Sequence, residues 1–149
     1  MADNALTRDL RGLTCVLADD NGPILEAMES LLRNEGVHVL GSARSGVEAL
    51  RLLERCDPTA IVLDVRLPDL GGIEVARRAG EIARRKPAVI LYTSYADGAL
   101  VASALDVGVR AVVLKDAPPA NLLEAIAVVA GGGIYIDSRL RMGPTSRLP

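Results

Sequence analysis

Five short aliphatic runs, at residues 13–18, 37–41, 60–63, 88–92 and 110–114, divide the chain. Each is nearly continuous in apolar residues, the pattern of a strand covered on both faces rather than the alternation of a half-wet strand. The intervening segments carry helical spacing. Ile24, Leu25, Met28, Leu31 and Leu32 recur at i, i+3, i+4 and stop at 34–36. Val47, Leu50 and Leu53 continue the pattern until Asp57-Pro58 breaks it. A third helix is predicted over 72–85 with Pro87 as its terminator, a fourth over 98–107 with Gly108 as its stop, and a fifth from Pro118-Pro119 to the glycines at 131–133.

Five strand-then-helix units predict a parallel sheet, because right-handed crossovers leave helices on both faces. The expected architecture is a doubly wound α/β domain over 13–137, with a polar tail at 1–12. Residues 138–149 are basic, carry Gly143 and Pro144, and show no apolar period. They read as a linker or the start of an output region, leaving open an excised domain or a stand-alone one.

Composition narrows the function classes. The chain has 149 residues, half of them apolar, with three Tyr and no Phe or Trp. One domain of this size builds an aliphatic core without disulfide or metal staples. Net charge is −2, from 17 basic and 19 acidic residues, so this segment lacks the basic footprint of nucleic-acid binding. Cys15 and Cys56 form no CxxC pair and read as buried apolar thiols, and His38 lies inside a strand run as a structural residue. No apolar run reaches the ~18 residues of a membrane span, so a cytoplasmic protein without membrane contact is expected.

Open α/β sheets build sites beyond the carboxyl ends of their strands. Those ends read Asp19-Asp20, Asp64, Thr93-Ser94 and Lys115-Asp116. Lys115 stands out because only two of the 17 basic residues are Lys; a compact ammonium is suited to a phosphoryl group. Carboxylates about 4 Å apart repel by ~4 kcal/mol per pair at an effective dielectric near 20, so three of them call for cations. Lys115 supplies one charge, and a hard divalent ion such as Mg²⁺ or Mn²⁺ suits the all-oxygen ligands. Asp64, on the central strand, is the candidate nucleophile for an acyl phosphate. Without metal, removing Asp19 or Asp20 is expected to raise thermal stability.

These residues closely resemble the receiver domain of bacterial two-component response regulators, a flavodoxin-like fold with five parallel strands in order 2-1-3-4-5 and five helices. The resemblance rests on Val16-Leu17-Ala18-Asp19-Asp20, on Ile61-Val62-Leu63-Asp64-Val65-Arg66-Leu67-Pro68, on Ile90-Leu91-Tyr92-Thr93-Ser94 and on Val113-Leu114-Lys115-Asp116. The stretch from Lys115 to the triple glycine and Ile134-Tyr135 is most similar to LuxR-type regulators, which usually continue into a DNA-binding helix-turn-helix domain. The resemblance implies that Asp64 takes a phosphoryl group from a sensor histidine kinase. Asp20, Asp64 and the backbone carbonyl of Arg66 would ligate Mg²⁺, and Asp19 would hold a metal-bound water. Lys115 would pair with phosphoryl oxygens, Thr93 would swing its hydroxyl onto them, and a homodimer is a possible output. Any DNA contact would belong to a C-terminal domain outside this segment.

Val112 departs from the family pattern, since receivers usually carry Tyr or Phe three residues before the lysine. It keeps open a second reading, a receiver-like interaction module that works without phosphorylation. Arg66 and Tyr95 flank the attacking-water path in the family and are expected to affect the phosphoryl lifetime. A haloacid dehalogenase-type phosphatase needs a second Asp two residues after the nucleophile; Arg66 stands there, so rapid turnover lacks its proton donor. The glycines at 41 and 46 have P-loop spacing without the following Lys and Ser/Thr, and read as a turn and helix start.

Overall fold

The computed structural model describes residues 9–141. Five strand-helix units follow one another: β1 (Thr14–Ala18), α1 (Gly22–Asn34), β2 (His38–Ala43), α2 (Gly46–Arg55), β3 (Ala60–Leu63), α3 (Gly72–Ile82), β4 (Ala88–Thr93), α4 (Gly98–Asp106), β5 (Val109–Leu114) and α5 (Pro119–Ala130). A short strand β6 (Tyr135–Ile136) and a single helical turn α6 (Ser138–Arg141) complete the order. The five expected strands are joined by this sixth, giving a sheet ordered β2-β1-β3-β4-β5-β6 with every pairing parallel.

Side chains alternate across the central strands and feed two separate cores. Val16, Ala18, Ile61, Leu63, Val89, Leu91 and Val112 face one cluster, with Leu53 of α2, Val75 of α3 and Ala104 of α4. Cys15, Leu17, Ala60, Val62, Ile90, Ala111 and Val113 face the other, with Leu32 of α1 and Ile126 of α5. The apolar runs are continuous because both faces are covered, and each fully buried Leu, Ile or Val contributes roughly 1.5–3 kcal/mol. Burial also pushes the Cys15 thiol up to about 12, so it behaves as the apolar filler expected of it. Leu10, from the segment read as a polar tail, packs into the second core.

Strand β2 corrects the expectation of uniform cover. It lies at the sheet edge, so His38 is exposed and Leu40 remains 43% accessible. It also runs to Ala43, through residues read as a turn from their glycine spacing. The helix start expected near Gly46 does form: the Ser45 hydroxyl accepts the Glu48 N–H at 3.1 Å. Likewise Asn21 caps α1 and Asp97 caps α4 through the N–H groups of Ile24 and Leu100. Helix α3 ends at Ile82, three residues earlier than expected, with Ala83 already extended.

Ser138 and the residues after it differ most from expectation. A linker was expected, yet Ser138–Arg141 forms α6 and Leu140 packs against the first core. Residues 142–149 lie outside the described residues.

Candidate functional site

The parallel register brings the carboxyl ends of β1, β3, β4 and β5 to one edge. Asp19 continues the parity of Cys15 and Leu17, Asp64 that of Ala60 and Val62, and Lys115 that of Ala111 and Val113, so all three belong to the α1/α5 side of the sheet. Thr93 follows Val89 and Leu91 and belongs to the α2/α3/α4 side. Strands are spaced about 4.8 Å apart, so a residue from β5 must cross β4 to reach β3. A lysine is long enough. Lys115 Nζ lies 2.8 Å from Asp64 Oδ2 and 2.6 Å from Asp19 Oδ2.

Asp19, Asp20 and Asp64 each offer an oxygen within 4.8 Å of the others. Asp19 is 1% exposed and Asp64 8%, whereas Asp20 is open to solvent. The loop after β3 folds back so that the Arg66 N–H donates to Asp64 Oδ1 at 3.2 Å, and Asp19 Oδ1 accepts the Asn21 N–H at 2.9 Å. Asp19 Oδ2 is buried and makes no hydrogen bond. Its contact with Lys115 is close but badly angled, so it holds a counter-charge without a directed donor. Burial works against the Lys115 ammonium, and the paired carboxylates of Asp19 and Asp64 outweigh it, keeping its pKa above the ordinary lysine value.

Three clustered carboxylates and one buried oxygen without a donor are a donor set that fits a hard divalent cation such as Mg²⁺. The structure also separates two residues that the sequence reading treated alike. Asp20 has no protein partner for its carboxylate among the described residues, whereas Asp19 binds Lys115 and the Asn21 amide. Removing Asp20 therefore relieves repulsion alone, ~1 kcal/mol at the water-like dielectric of an exposed group. Asp20→Asn is expected to melt higher than wild type in chelator and to lose most of the stabilisation Mg²⁺ gives. Equal melting of the two proteins in chelator would show that the carboxylates do not repel.

Thr93 and Arg66 complete the sequence-derived set, in different positions. The Thr93 side chain is 3% exposed, and its hydroxyl donates weakly to the Tyr95 carbonyl, at 3.4 Å, rather than to Asp64. The Arg66 side chain and Tyr95 are exposed, Tyr95 by 65%. Val112 is fully buried in the first core.

Three residues that shape the site were not singled out from sequence. Arg44 donates to the Asp20 carbonyl at 2.8 Å, fixing the loop after β1. Asp69 holds φ = 63°, a left-handed conformation that Asp tolerates. It accepts the Gly46 N–H at 3.0 Å, tying the β3–α3 loop to the start of α2. Asp137 is 2% exposed and bonds to the end of β5. The Pro68-Asp69 pair was the available signal for the β3–α3 loop; nothing local marks Arg44 or Asp137. A cavity of about 660 Å³, lined by residues such as Asp57, Lys86 and Arg110, lies at the opposite end of the sheet and holds none of the site residues.

Residues 15–127 match the family described as the response regulator receiver domain. The transcriptional regulatory protein LnrK of Bacillus subtilis is 30% identical over 128 residues, covering 84% of this chain and 57% of LnrK. The signal receiver domain of the putative response regulator NarL from Mycobacterium tuberculosis is 30% identical, covers 82% of this chain and 98% of that one, and superposes with a TM-score of 0.73. A LuxR-family two-component response regulator from Aurantimonas sp. SI85-9A1 is 26% identical, with 89% and 95% coverage and a TM-score of 0.83. The chain thus spans little more than half the length of curated relatives such as LnrK. It belongs to the response regulator receiver domain family, the phosphoacceptor signalling domain of two-component systems.

Proposed function

We propose that Asp64 is the phosphoacceptor, that Lys115 and Thr93 bind the transferred phosphoryl group, and that Asp19, Asp20, Asp64 and the Arg66 carbonyl hold Mg²⁺. The observation that carries this reading is the placement of three carboxylates within 4.8 Å, two of them bridged by one lysine. Bound there, the cation would neutralise the charge of an incoming phosphoryl group. The donor is a phosphohistidine of a sensor kinase. An Asp64 oxygen forms the new bond to phosphorus while the bond to the donor nitrogen breaks, leaving an acyl phosphate on the receiver.

Each side chain has a definable task. Arg66 N–H orients the Asp64 carboxylate before transfer. Lys115 is already at hydrogen-bond distance from Asp64, so its ammonium needs only a short turn to reach the new oxygens. Thr93 is held only weakly by the Tyr95 carbonyl and is free to turn its hydroxyl. Arg66 rather than a carboxylate stands two residues after Asp64, where a general acid would be needed, so only slow self-catalysed loss of the phosphoryl group is expected.

The finer assignment is to the LuxR-type branch, in keeping with LuxR-family and NarL structures among the similar chains. The receiver unit is proposed as residues 13–137, acting in the cytoplasm, with a homodimer as a possible output. Transcriptional control, named for relatives such as LnrK, would come through a DNA-binding segment outside the receiver fold, whose own charge does not favour DNA. No helix among the described residues is long and apolar enough to cross a membrane.

Intact mass spectrometry tests the proposal. With Mg²⁺ and acetyl phosphate, wild type is expected to gain one phosphoryl group, mapped to the peptide containing Asp64. No adduct at saturating donor would overturn the phosphoacceptor reading and favour the phosphorylation-independent module that Val112 kept open.

A further inference from the structure

Four polar residues are buried among the described residues: Asp19, Asp64, Thr93 and Asp137. The first three meet at the phosphorylation site. Asp137 lies one residue beyond β6 and has no part in that chemistry, yet its contacts lead back to the site. A carboxylate this deeply buried is costly unless its oxygens are bonded.

Asp137 Oδ2 accepts the Leu114 N–H at 3.3 Å, and the Asp137 N–H donates to the Val112 carbonyl at 2.9 Å. Its Oδ1 accepts from the backbone and Nε of Arg139, at 3.0 and 3.2 Å. Arg139 Nη2 then crosses to Asp116 Oδ1 at 2.8 Å. Burial opposes ionisation of Asp137, but the Arg139 and Leu114 donors outweigh it and keep the carboxyl below its ordinary range. Leu140 packs on the core that also holds Val112 and Ala104 of α4. The β6–α6 segment is thus pinned to Val112, Leu114 and Asp116, while Lys115, between the last two, reaches Asp19 and Asp64.

A rigid, planar peptide joins Lys115 to Asp116, so backbone travel at one is felt at the other. Lys115 also donates its N–H to the Thr93 carbonyl at 2.8 Å, tying the same peptide to the strand that carries the mobile hydroxyl. Position 112 has no aromatic ring to rotate, but its carbonyl is one of the acceptors in this network. All bonds of the network are made with Lys115 on the bare carboxylates. A shift of the β5 end would lengthen several together.

We propose that the Asp137–Arg139–Asp116 network is a latch that stabilises the phosphate-free arrangement and opens when Lys115 turns to a phosphoryl group, relaying the state of Asp64 to the segment after β5. The proposal rests on the phosphoacceptor reading of Asp64. Arg139 and Asp116 act as positioning residues, touching neither the phosphoryl group nor the metal ligands directly. Because coupling between two sites is reciprocal, breaking the latch must tighten phosphoryl binding by the factor by which phosphoryl binding loosens the latch.

Beryllofluoride with Mg²⁺, titrated into the full chain and followed by amide NMR, gives both readouts. Arg139→Gln and the milder, surface-located Asp116→Asn are each expected to bind beryllofluoride about fivefold more tightly than wild type, the lower end of typical coupling. In wild type, saturating beryllofluoride is expected to speed hydrogen exchange at the Arg139 and Leu140 amides by a similar factor. Arg77→Gln, which removes surface ion pairs to Glu74 and Glu81 elsewhere, serves as the control with unchanged affinity. Unchanged or weaker binding by both latch variants overturns the latch, as does binding that leaves those exchange rates unaltered; in either case the Asp64 and Arg66 amides still shift. If those two amides do not shift in wild type, the phosphoacceptor reading fails, and the latch with it.

Discussion

Asp64→Asn is expected to gain no phosphoryl group under conditions that fully modify wild type, with intact mass in Mg²⁺ and acetyl phosphate as the measurement. The substitution is nearly isosteric. Its amide oxygen can still accept the Arg66 N–H, which reaches Asp64 Oδ1 at 3.2 Å, so the loop after β3 has no reason to move. What disappears is the anionic oxygen that must bond to phosphorus, since an amide oxygen has little nucleophilicity in water. Loss is therefore expected to be complete rather than partial. An adduct persisting in the variant would place the acceptor elsewhere, with Asp19 and Asp20 the nearest carboxylates.

Gly72→Ala comes next in size and acts through the backbone. A Cβ built at Gly72 would lie 2.3 Å from the Asp64 carbonyl oxygen and 3.0 Å from Val65 Cα, both main-chain atoms with no side-chain freedom to yield. The Gly72 N–H also donates to the Val65 carbonyl at 2.8 Å, holding the first turn of α3 against the site loop. Relief requires moving that turn or the acceptor loop, at about 2–3 kcal/mol. Ala is otherwise the better helix former by about 1 kcal/mol, so the sign of the change is diagnostic. Chemical denaturation should show Gly72→Ala less stable than wild type, and acetyl phosphate should modify it more slowly. Gly80→Ala in the same helix is the control: its Cβ would meet only the flexible end of Lys86, and it should lose no stability. Equal behaviour of the two variants would show that the loop yields at no cost.

The five strand-helix units and most of the site were legible because each site residue ends an apolar run, and parallel registration brings such ends together. Lys115 was marked further by scarcity, in a chain that otherwise uses Arg. What stayed hidden was set by tertiary placement. The apolar run of β2 looks like those of β1 and β3, and only strand order puts it at an edge where Leu40 meets water. The early end of α3 has no local signal, because Pro87 restricts the residue immediately before it and not Ala83. Tyr135–Ile136 is too short to read as a strand by period, and the groups that fix Asp137, the Leu114 N–H and the Val112 carbonyl, come from more than twenty residues upstream. Asp69 looked like an ordinary loop acid, and its capping of α2 across 23 residues depends on a left-handed backbone conformation.

The alternation of strand side chains has a mechanical consequence. Asp64 and Lys115 stand over the half of the interior shared with α1 and α5, while Thr93 stands over the half shared with α2, α3 and α4. The two halves are divided by the sheet, and the strands run between them. In the proposed arrangement, an anion gripped by Lys115 and Thr93 at once would rivet one half to the other. A group of four atoms would then stiffen the sandwich along the rim, joining the two halves where the sheet ends.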